Sequence, residues 1–317
     1  MLAQLEEEFP NDLRVVFRHY PLIGTPEQPF HDKAAISAQA AEAAGLQGKF
    51  WEMYELLMGS QGEWAGMTVD QFKTWVVEKA AGLGLDVERF EQDLTSDGLV
   101  RKIQAAWDNG QAIGLPGTPF ILLNGAQYSS GLDQSTLSAV IMLTLLQKRQ
   151  YSDCPPMVID PAKKYLATLK TDKGDIVIEL FADKAPLAVN NFVFLSRNGW
   201  YDGVTFHRVL PGYIAQAGDP TGTGYGGPGY AFKNEISPDQ NFDTAGLVAM
   251  ANAGADSNGS QFFITYAPAA QLNGNYTIFG RVISGMDAVD SLTPRDPSQN
   301  AALPEGDKII SVTIEEK

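Results

Sequence analysis

An arginine and a glutamine eight positions apart, Arg208 and Gln216, are a pair of side chains in this sequence that could do chemistry together. They flank an apolar stretch that includes Tyr213 and Ile214, and alternation along a strand puts Phe206 on the same side as Arg208. A guanidinium is a planar, permanently charged donor, so beside apolar walls it suits holding a carbonyl group in a groove that contains little water. The strand alone leaves a second interpretation open, in which Arg208 lies on the outside of a sheet.

Two later segments supply the rest of such a groove. Residues 246–264, GLVAMANAGADSNGSQFFI, combine small side chains with exposed backbone, which suits holding an extended peptide through main-chain hydrogen bonds. Residues 271–282, QLNGNYTIFGRV, add an apolar and an aromatic side chain. The set contains no nucleophile paired with a base, no paired carboxylates and no metal-ligand cluster, so it predicts a site that binds and polarises but does not cleave. In addition to Tyr213 and Ile214, the residues that we expect to line the groove are Phe206, Ala251, Asn252, Phe263, Leu272 and Tyr276.

Short strands must position these residues. Residues 165–181, YLATLKTDKGDIVIELF, read as two alternating strands joined by a turn, and Pro186 begins a helix that runs to about Arg197. A second short helix is predicted near residues 286–291, and the chain ends in another alternating strand that could pair with the first one. These features predict a closed antiparallel barrel over residues 164–317.

The first half, residues 1–149, has a different character. It is rich in helical patterns and contains the stretch GLPGTPFILLNG at residues 114–125, in which a Thr-Pro step precedes a strand-like run. The three prolines within residues 150–163 predict an extended linker between two domains. The elements predicted for the first half are a helix over 2–9, a strand over 13–18, helices from 31 to about 112, strands over 120–123 and 126–129, and a helix from 133 to about 148.

Composition excludes several classes of function. The 317 residues carry a net charge of −15, so the chain does not offer the basic surface that binds nucleic-acid phosphates. The sequence lacks the run of about 18 apolar residues that spans a membrane, and it opens without a signal peptide, which as written indicates the cytoplasm. A single cysteine, Cys154, excludes disulfide chemistry within the chain, and the three histidines lack metal-ligand spacing.

Three segments carry a resemblance to a known family. FHRVLPGYIAQAGD (206–219), MANAGADSNGSQFFI (250–264) and LNGNYTIFG (272–280) resemble the signature segments of the cyclophilins, the peptidyl-prolyl cis-trans isomerases. The resemblance runs from about residue 165 to residue 317, and its pattern is similar to that of bacterial members. It implies a closed barrel of eight strands capped by two helices, no cofactor, and proline-containing unfolded or flexible polypeptides as partners.

The resemblance also implies roles for the groove residues. An X-Pro bond has partial double-bond character and a barrier near 20 kcal/mol, so rotation needs the nitrogen lone pair decoupled from the carbonyl. Arg208 would donate to the prolyl nitrogen and Gln216 would position Arg208 and the substrate. Tyr213, Ile214, Phe263 and Leu272 would form the proline pocket, while Ala251 and Asn252 would hold the peptide backbone. Two other functions stay open: a folding helper that binds peptides without catalysis, and a thiol–disulfide oxidoreductase in a longer parent chain.

The first half resembles DsbA-like thioredoxin folds with a helical insertion. FRHYPL (17–22), AAEAAGLQGKFWEMYELL (40–57) and GLPGTPFILLNG (114–125) carry this resemblance, which implies a cis peptide bond before Pro119. The first strand and the Cys-x-x-C pair of that family are missing, and residues 2–9 match the end of the helix that follows them. We therefore expect a redox-silent domain here, and a longer, extracytoplasmic parent chain that supplies the missing strand and cysteines.

Overall fold

The computed structural model describes residues 1–24, 30–299 and 303–317 and divides the chain into two compact units. The unit that we call helical contains Leu2 and Leu13–Ser130. The unit that we call the sheet unit contains Met1, Ala3–Asp12 and Gly131–Lys317. Among the described residues, no helix combines the length and apolar character needed to cross a membrane.

The helical unit packs around an alanine-rich helix. The chain begins with α1 (Leu2–Glu8), and the elements that follow up to Ser130 are α2 (Ala34–Gly45), α3 (Phe50–Gly59), α4 (Gln61–Trp64), α5 (Val69–Gly82), α6 (Val87–Leu94), α7 (Asp97–Ala112), β1 (Leu122–Leu123) and β2 (Ala126–Gln127). The small side chains of α2 allow α3, α5, α6 and α7 to pack against it. A capping box begins α5, because Thr68 accepts a hydrogen bond from the Gln71 main chain and the Gln71 side chain accepts one from the Thr68 main chain.

Three strand predictions in this unit need correction. Residues 13–18 form no strand, and the strands predicted over 120–123 and 126–129 shorten to the two-residue hairpin of β1 and β2. A strand exists only where a neighbouring segment pairs with its backbone, and among the described residues no ladder forms with residues 13–18. The peptide bond between Thr118 and Pro119 is cis, as expected from the resemblance.

The sheet unit is built from one large antiparallel sheet. Its elements are α8 (Gln134–Leu146), β3 (Tyr165–Thr171), β4 (Gly174–Leu180), α9 (Pro186–Arg197), β5 (Val204–Thr205), β6 (Arg208–Leu210), β7 (Ile214–Ala217), β8 (Leu247–Met250), β9 (Phe262–Thr265), a 3₁₀ helix (Ala270–Leu272), β10 (Ile278–Ser284), α10 (Met286–Asp290) and β11 (Lys308–Glu316). The strand order is β5-β11-β3-β4-β10-β8-β9-β7-β6. The C-terminal strand β11 pairs with the first strand of the unit, β3, as predicted.

The sheet curls, and its pairing differs from the expected eight strands. The described residues form nine strands in this sheet, because the stretch predicted as one strand through Arg208 is interrupted at Phe206 and His207. Both of these side chains are buried, which breaks the alternation that a single continuous strand requires. The two edge strands, β5 and β6, are joined by only these two residues, so the sheet must bend until its edges approach each other.

The main core fills the inside of the curl. The predicted helix α9 contributes fully buried side chains that recur at helical spacing, among them Val189, Phe192, Val193 and Leu195. Pro186 occupies the first turn of α9, where no main-chain donor is needed. The carboxylate of Glu235 accepts hydrogen bonds from the Leu187 and Ala188 main chain and so satisfies two of the free N–H groups there.

The predicted linker, residues 150–163, is packed rather than free. It forms no helix or strand, in agreement with its prolines, but it lies along the sheet unit. The ring of Tyr151 meets the ring of Phe194 at 5.2 Å, and Ile159 is buried in the main core. Val158 donates its main-chain N–H to the side chain of Asn190. We call residues 150–163 the connector.

Candidate active site

A row of residues crosses five neighbouring strands on the outer face of the curled sheet. Arg208 of β6 stands opposite Gln216 of β7, and Gln216 stands opposite Phe263 of β9. Phe263 pairs in turn with Ala249 of β8, which pairs with Ile278 of β10. Residues directly opposite each other on paired strands point to the same face. The predicted donor Arg208, its partner Gln216 and the predicted pocket residue Phe263 therefore share one surface.

Alternation separates this surface from the main core. On β9, Phe262 belongs to the main core, while the next residue, Phe263, belongs to a second apolar cluster. On β7, Ala215 lies in the main core and its neighbour Ile214 lies in the second cluster. The buried members of this outer cluster are Ile214, Phe242, Ala249, Phe263, Ala269, Leu272 and Ile278.

Most of the predicted groove residues meet at the outer cluster. Ile214, Phe263 and Leu272 are buried members, and Tyr213, Ala251 and Tyr276 pack against them. The ring of Tyr276 stands edge-on to that of Phe263 with 5.4 Å between the ring centres. The sequence did not indicate Phe242, whose ring stacks on Phe263 at 5.9 Å, because it comes from an irregular segment with no periodic pattern.

The prediction for Phe206 is wrong. Its side chain is fully buried in the main core, and its main-chain N–H donates to the Asp307 carbonyl. The prediction assumed an unbroken strand through Arg208, and the interruption after β5 turns Phe206 inward. A side chain without exposed surface does not line a groove.

A chain of polar groups surrounds Arg208, which is half-buried. Its Nη1 lies 3.5 Å from Oε1 of Gln216, and Nε2 of Gln216 donates to Oε1 of Gln261 over 2.9 Å. The strand that carries Arg208 is held from its other side as well, because Val209 and Arg295 exchange two main-chain hydrogen bonds of 2.7 and 2.9 Å. The guanidinium therefore projects from a fixed backbone beside the outer cluster.

Asn252 belongs to a network of carboxamides next to the apolar cluster. Its Nδ2 lies 3.2 Å from Oδ1 of Asn258 and 3.3 Å from the carbonyl of Asn275. The main-chain N–H of the neighbouring Ala251 donates to the Gln261 carbonyl. A polar cavity of about 470 Å³ opens beside this network, and its lining residues are Asn234, Asn252, Ala253, Gly254, Ala255, Gly274, Asn275 and Tyr276.

Two family models match this chain. The model described as cyclophilin type peptidyl-prolyl cis-trans isomerase matches residues 166–314, and the model described as thioredoxin matches residues 3–142. A crystal structure of a cyclophilin type peptidyl-prolyl cis-trans isomerase from Cryptosporidium parvum is 38% identical in sequence, with a TM-score of 0.45. That comparison covers 48% of this chain and 98% of the other.

Curated proteins named as peptidyl-prolyl cis-trans isomerases match a similar share of this chain. A peptidyl-prolyl cis-trans isomerase of Helicobacter pylori is 45% identical over 137 residues, which are 43% of this chain and 84% of that protein. Peptidyl-prolyl cis-trans isomerase A of Mycobacterium tuberculosis is 47% identical over 147 residues, which are 42% of this chain and 81% of that protein. The chain belongs to the cyclophilin-type peptidyl-prolyl cis-trans isomerases.

The matched part of the sheet unit, residues 166–314, is thus the isomerase, and its activity is peptidyl-prolyl cis-trans isomerisation. We call this part the cyclophilin unit. The N-terminal part carries a thioredoxin-like domain. The sequence contains one cysteine, Cys154, which lies in the connector. The Cys154 side chain is exposed, and its sulfur lies 3.4 Å from the Ala231 carbonyl oxygen.

His207, the residue before Arg208, is buried. Neither ring nitrogen has a hydrogen-bond partner within the part of the chain that the structure describes. Burial lowers the pKa of His207, nearby Arg295 and Arg208 lower it further, and Asp219 opposes these effects. The cyclophilin unit therefore holds a neutral imidazole at physiological pH.

This burial makes the stability of the cyclophilin unit depend on pH. Below about pH 6.5 the unfolded chain binds a proton at His207 that the folded chain does not, so the free energy of unfolding falls as the pH is lowered, by at most about 1.4 kcal/mol per pH unit from this group. We expect His207→Phe to flatten this dependence. Urea unfolding followed through the indole N–H signal of Trp200, which lies in the same unit, measures it. Equal slopes for both proteins between about pH 7 and pH 5 would contradict the assignment to His207.

Proposed function

We propose that Arg208 accelerates rotation of the X-Pro bond by donating a hydrogen bond to the prolyl nitrogen. The bond rotates when the nitrogen becomes pyramidal and its lone pair leaves the conjugated system, and a charged donor aimed at that lone pair is stabilising only then. The observation that carries this proposal is the register that sets Arg208 beside Gln216 and Phe263 on one face. A guanidinium next to a buried aromatic ring can meet the amide where little water competes.

The remaining groove residues have binding roles in this proposal. Tyr213, Ile214, Phe263 and Leu272 form an apolar pocket for the proline ring, and Tyr276 borders it. Ala251 and Asn252 hold the polypeptide backbone, and Gln216 positions Arg208. The partners are unfolded or flexible polypeptides that contain proline, and no step of the reaction calls for a cofactor.

We also propose that the curled sheet closes into an eight-stranded barrel capped by α9 and α10. β5 pairs with β11, and β6 pairs with β7, so that β5 and β6 together act as one interrupted strand between them. Counting them as one strand reduces nine strands to eight. NMR contacts between the main chains of β5 and β11 and of β6 and β7, in a chain that continues through Phe206 and His207, would agree with closure, and absence of either set of contacts would contradict it.

For the domain organisation, we propose a thioredoxin-like domain over residues 1–149, the connector over 150–163 and the cyclophilin domain over 164–317. The two family matches, to 3–142 and 166–314, support these boundaries. We further propose that the first domain is DsbA-like and that the parent protein works outside the cytoplasm. Fractionation of the source cells with an antibody to this chain tests the compartment, and recovery in the cytoplasm alone would contradict it.

Exchange between the cis and trans forms of an Ala-Pro-Phe peptide tests the assigned activity. We expect the full chain to raise the exchange rate observed by NMR at catalytic concentrations of protein. Peptide binding without acceleration would instead indicate a folding helper that holds proline-containing segments. Because NMR exchange needs no coupling protease, degradation of the protein during the assay cannot imitate a loss of activity.

A further inference from the structure

A relay of side-chain amides connects Arg208 to a loop on the far side of Gln216. The Nε2 group of Gln261 donates to the carbonyl oxygens of Gly224 and Gly226, both over 2.9 Å. Its Oε1 accepts the hydrogen bond from Nε2 of Gln216, and Oε1 of Gln216 faces Arg208. We call residues 222–229, which contain five glycines, the glycine loop.

Two carbonyl groups of the glycine loop determine which atom donates and which accepts in each hydrogen bond of this relay. A carboxamide has one accepting end and one donating end, so the two loop carbonyls require the NH₂ group of Gln261 and leave its oxygen toward Gln216. Gln216 must then present its own NH₂ group to Gln261 and its oxygen to Arg208. The opposite orientation would point the NH₂ group of Gln216 at the guanidinium, where two donors repel. Two carbonyls of the glycine loop thus decide which atom of Gln216 meets Arg208.

The inner side of the glycine loop is held by Asp219, which is fully buried. Its Oδ2 accepts hydrogen bonds from the main-chain N–H groups of Gly224, over 2.7 Å, and Gly226, over 3.0 Å. The N–H groups of these two glycines therefore point toward Asp219, and their carbonyls are left for Gln261.

The outer side of the glycine loop is held by the connector. The Tyr151 main-chain N–H donates to the Pro228 carbonyl over 2.8 Å, and Nε2 of Gln150 donates to the Gly227 carbonyl over 2.9 Å. The backbones approach so closely at Gly229 that a Cβ there would overlap the Tyr151 carbonyl oxygen. Gly229 also has a φ of +94°, a conformation that favours glycine.

We propose that Gln261 and, through the glycine loop, the connector residues Gln150 and Tyr151 are positioning residues of the isomerase. They fix the orientation of the Gln216 amide, which turns its oxygen toward Arg208 and aims the guanidinium. The proposal rests on the role of Arg208 proposed above. In this proposal the connector contributes to catalysis by the cyclophilin unit as well as linking the two domains.

Substitution of Gly229 in the full chain tests the relay. Gly229→Ala forces the loop and the connector apart, and we expect kcat to fall roughly fivefold while KM stays close to that of the wild type, since the apolar pocket is untouched. Tyr225→Ala is the matched control, because Tyr225 lies between Gly224 and Gly226 but its side chain is 86% exposed. This control should change kcat less than twofold, which is the effect of an exposed loop side chain outside the relay.

A double-mutant cycle separates positioning from a general loss of structure. We expect Gln261→Leu to lower kcat to a similar degree, and Gly229→Ala to add little in the Gln261→Leu background, because the relay is already broken. Losses that multiply would overturn the proposal, as would a Gly229→Ala protein with wild-type kcat. If Gly229→Ala does not fold, Gln150→Ala takes its place in the same cycle, since it removes only one side-chain hydrogen bond from the loop.

The failure of the relay and that of the catalytic proposal give different results. If Arg208→Ala retains full activity, the role of Arg208 itself is wrong. If Arg208→Ala is inactive while the Gly229→Ala and Gln150→Ala proteins match the wild type, only the relay is wrong. Side-chain NMR gives an independent readout, because Gly229→Ala should shift the Nε–H signal of Arg208 and the amide signals of Gln216 and Gln261.

Discussion

Replacement of Arg208 by alanine should lower kcat/KM for a proline-containing peptide by about 10²- to 10³-fold, the usual loss when one charged donor to a transition state is removed. The lost hydrogen bond matters because it forms fully only when the prolyl nitrogen becomes pyramidal. The apolar pocket stays in place, so kcat should carry most of the loss. Rates from NMR exchange at several peptide concentrations separate kcat from KM.

Two variants make the Arg208 result specific. Arg281→Ala removes the same charge from an exposed position of β10, where Arg281 pairs with Glu179, and we expect it to leave kcat/KM unchanged. Arg208→Lys keeps the charge but loses the planar fork, so its activity should lie between those of the wild type and Arg208→Ala. If the Arg208→Ala protein were as active as the Arg281→Ala protein, this would contradict the proposed donation by Arg208 to the prolyl nitrogen.

Much of the site could be predicted because it follows alternation. Arg208 and Gln216 are eight positions apart, and the tight turn between β6 and β7 brings them opposite each other. Phe263 follows the buried Phe262, and the change of face between consecutive residues sends one ring to each cluster. The helix α9 could be predicted just as well, because its buried residues recur at helical spacing.

Sequence reasoning failed where alternation breaks or where pairing depends on distant residues. Phe206 was assigned to the groove because nothing local reveals the interruption between β5 and β6, which depends on the burial of His207. Residues 13–18 have strand-like composition, but composition does not reveal whether another segment is placed to pair with their backbone.

Gln261 illustrates a third reason why a single sequence could not predict part of the site. It lies two positions before Phe263 and so on the same face of the strand, but the sequence analysis did not assign it to the groove. Its role in the relay depends on the carbonyls of Gly224 and Gly226, about 35 residues away along the chain, and long-range contacts of this kind leave no periodic signal in one sequence. The same holds for the connector, whose prolines predict an extended chain but not the surface that it covers.

The core of the cyclophilin unit offers the largest expected effect on stability. Phe192 of α9 is fully buried and contacts three aromatic rings, those of Tyr201 at 5.0 Å, Phe279 at 5.4 Å and Phe262 at 5.5 Å. Phe192→Ala leaves a cavity among these three rings, and because Phe262 and Phe279 are fixed by the hydrogen-bonded strands β9 and β10, the surroundings can collapse only in part to fill it. We expect the free energy of unfolding of this unit to fall by about 3–5 kcal/mol.

The measurement must report on this unit alone, because a chain with two compact units need not unfold in one step. Of the five tryptophans, Trp200 lies in the sheet unit, and its buried indole N–H donates to the Gly218 carbonyl, so its NMR signal is lost when this unit unfolds. Urea titration of that signal should show a lower midpoint for Phe192→Ala and little change for Ile283→Ala, an apolar truncation at a residue that is 50% exposed. Since Phe262 packs on Phe192 and its neighbour Phe263 lines the groove, the variant should also lose activity at urea concentrations where the wild type remains active. Equal midpoints for the two variants would show that the side chains around Phe192 can relax into the cavity, and would contradict the expected loss of stability.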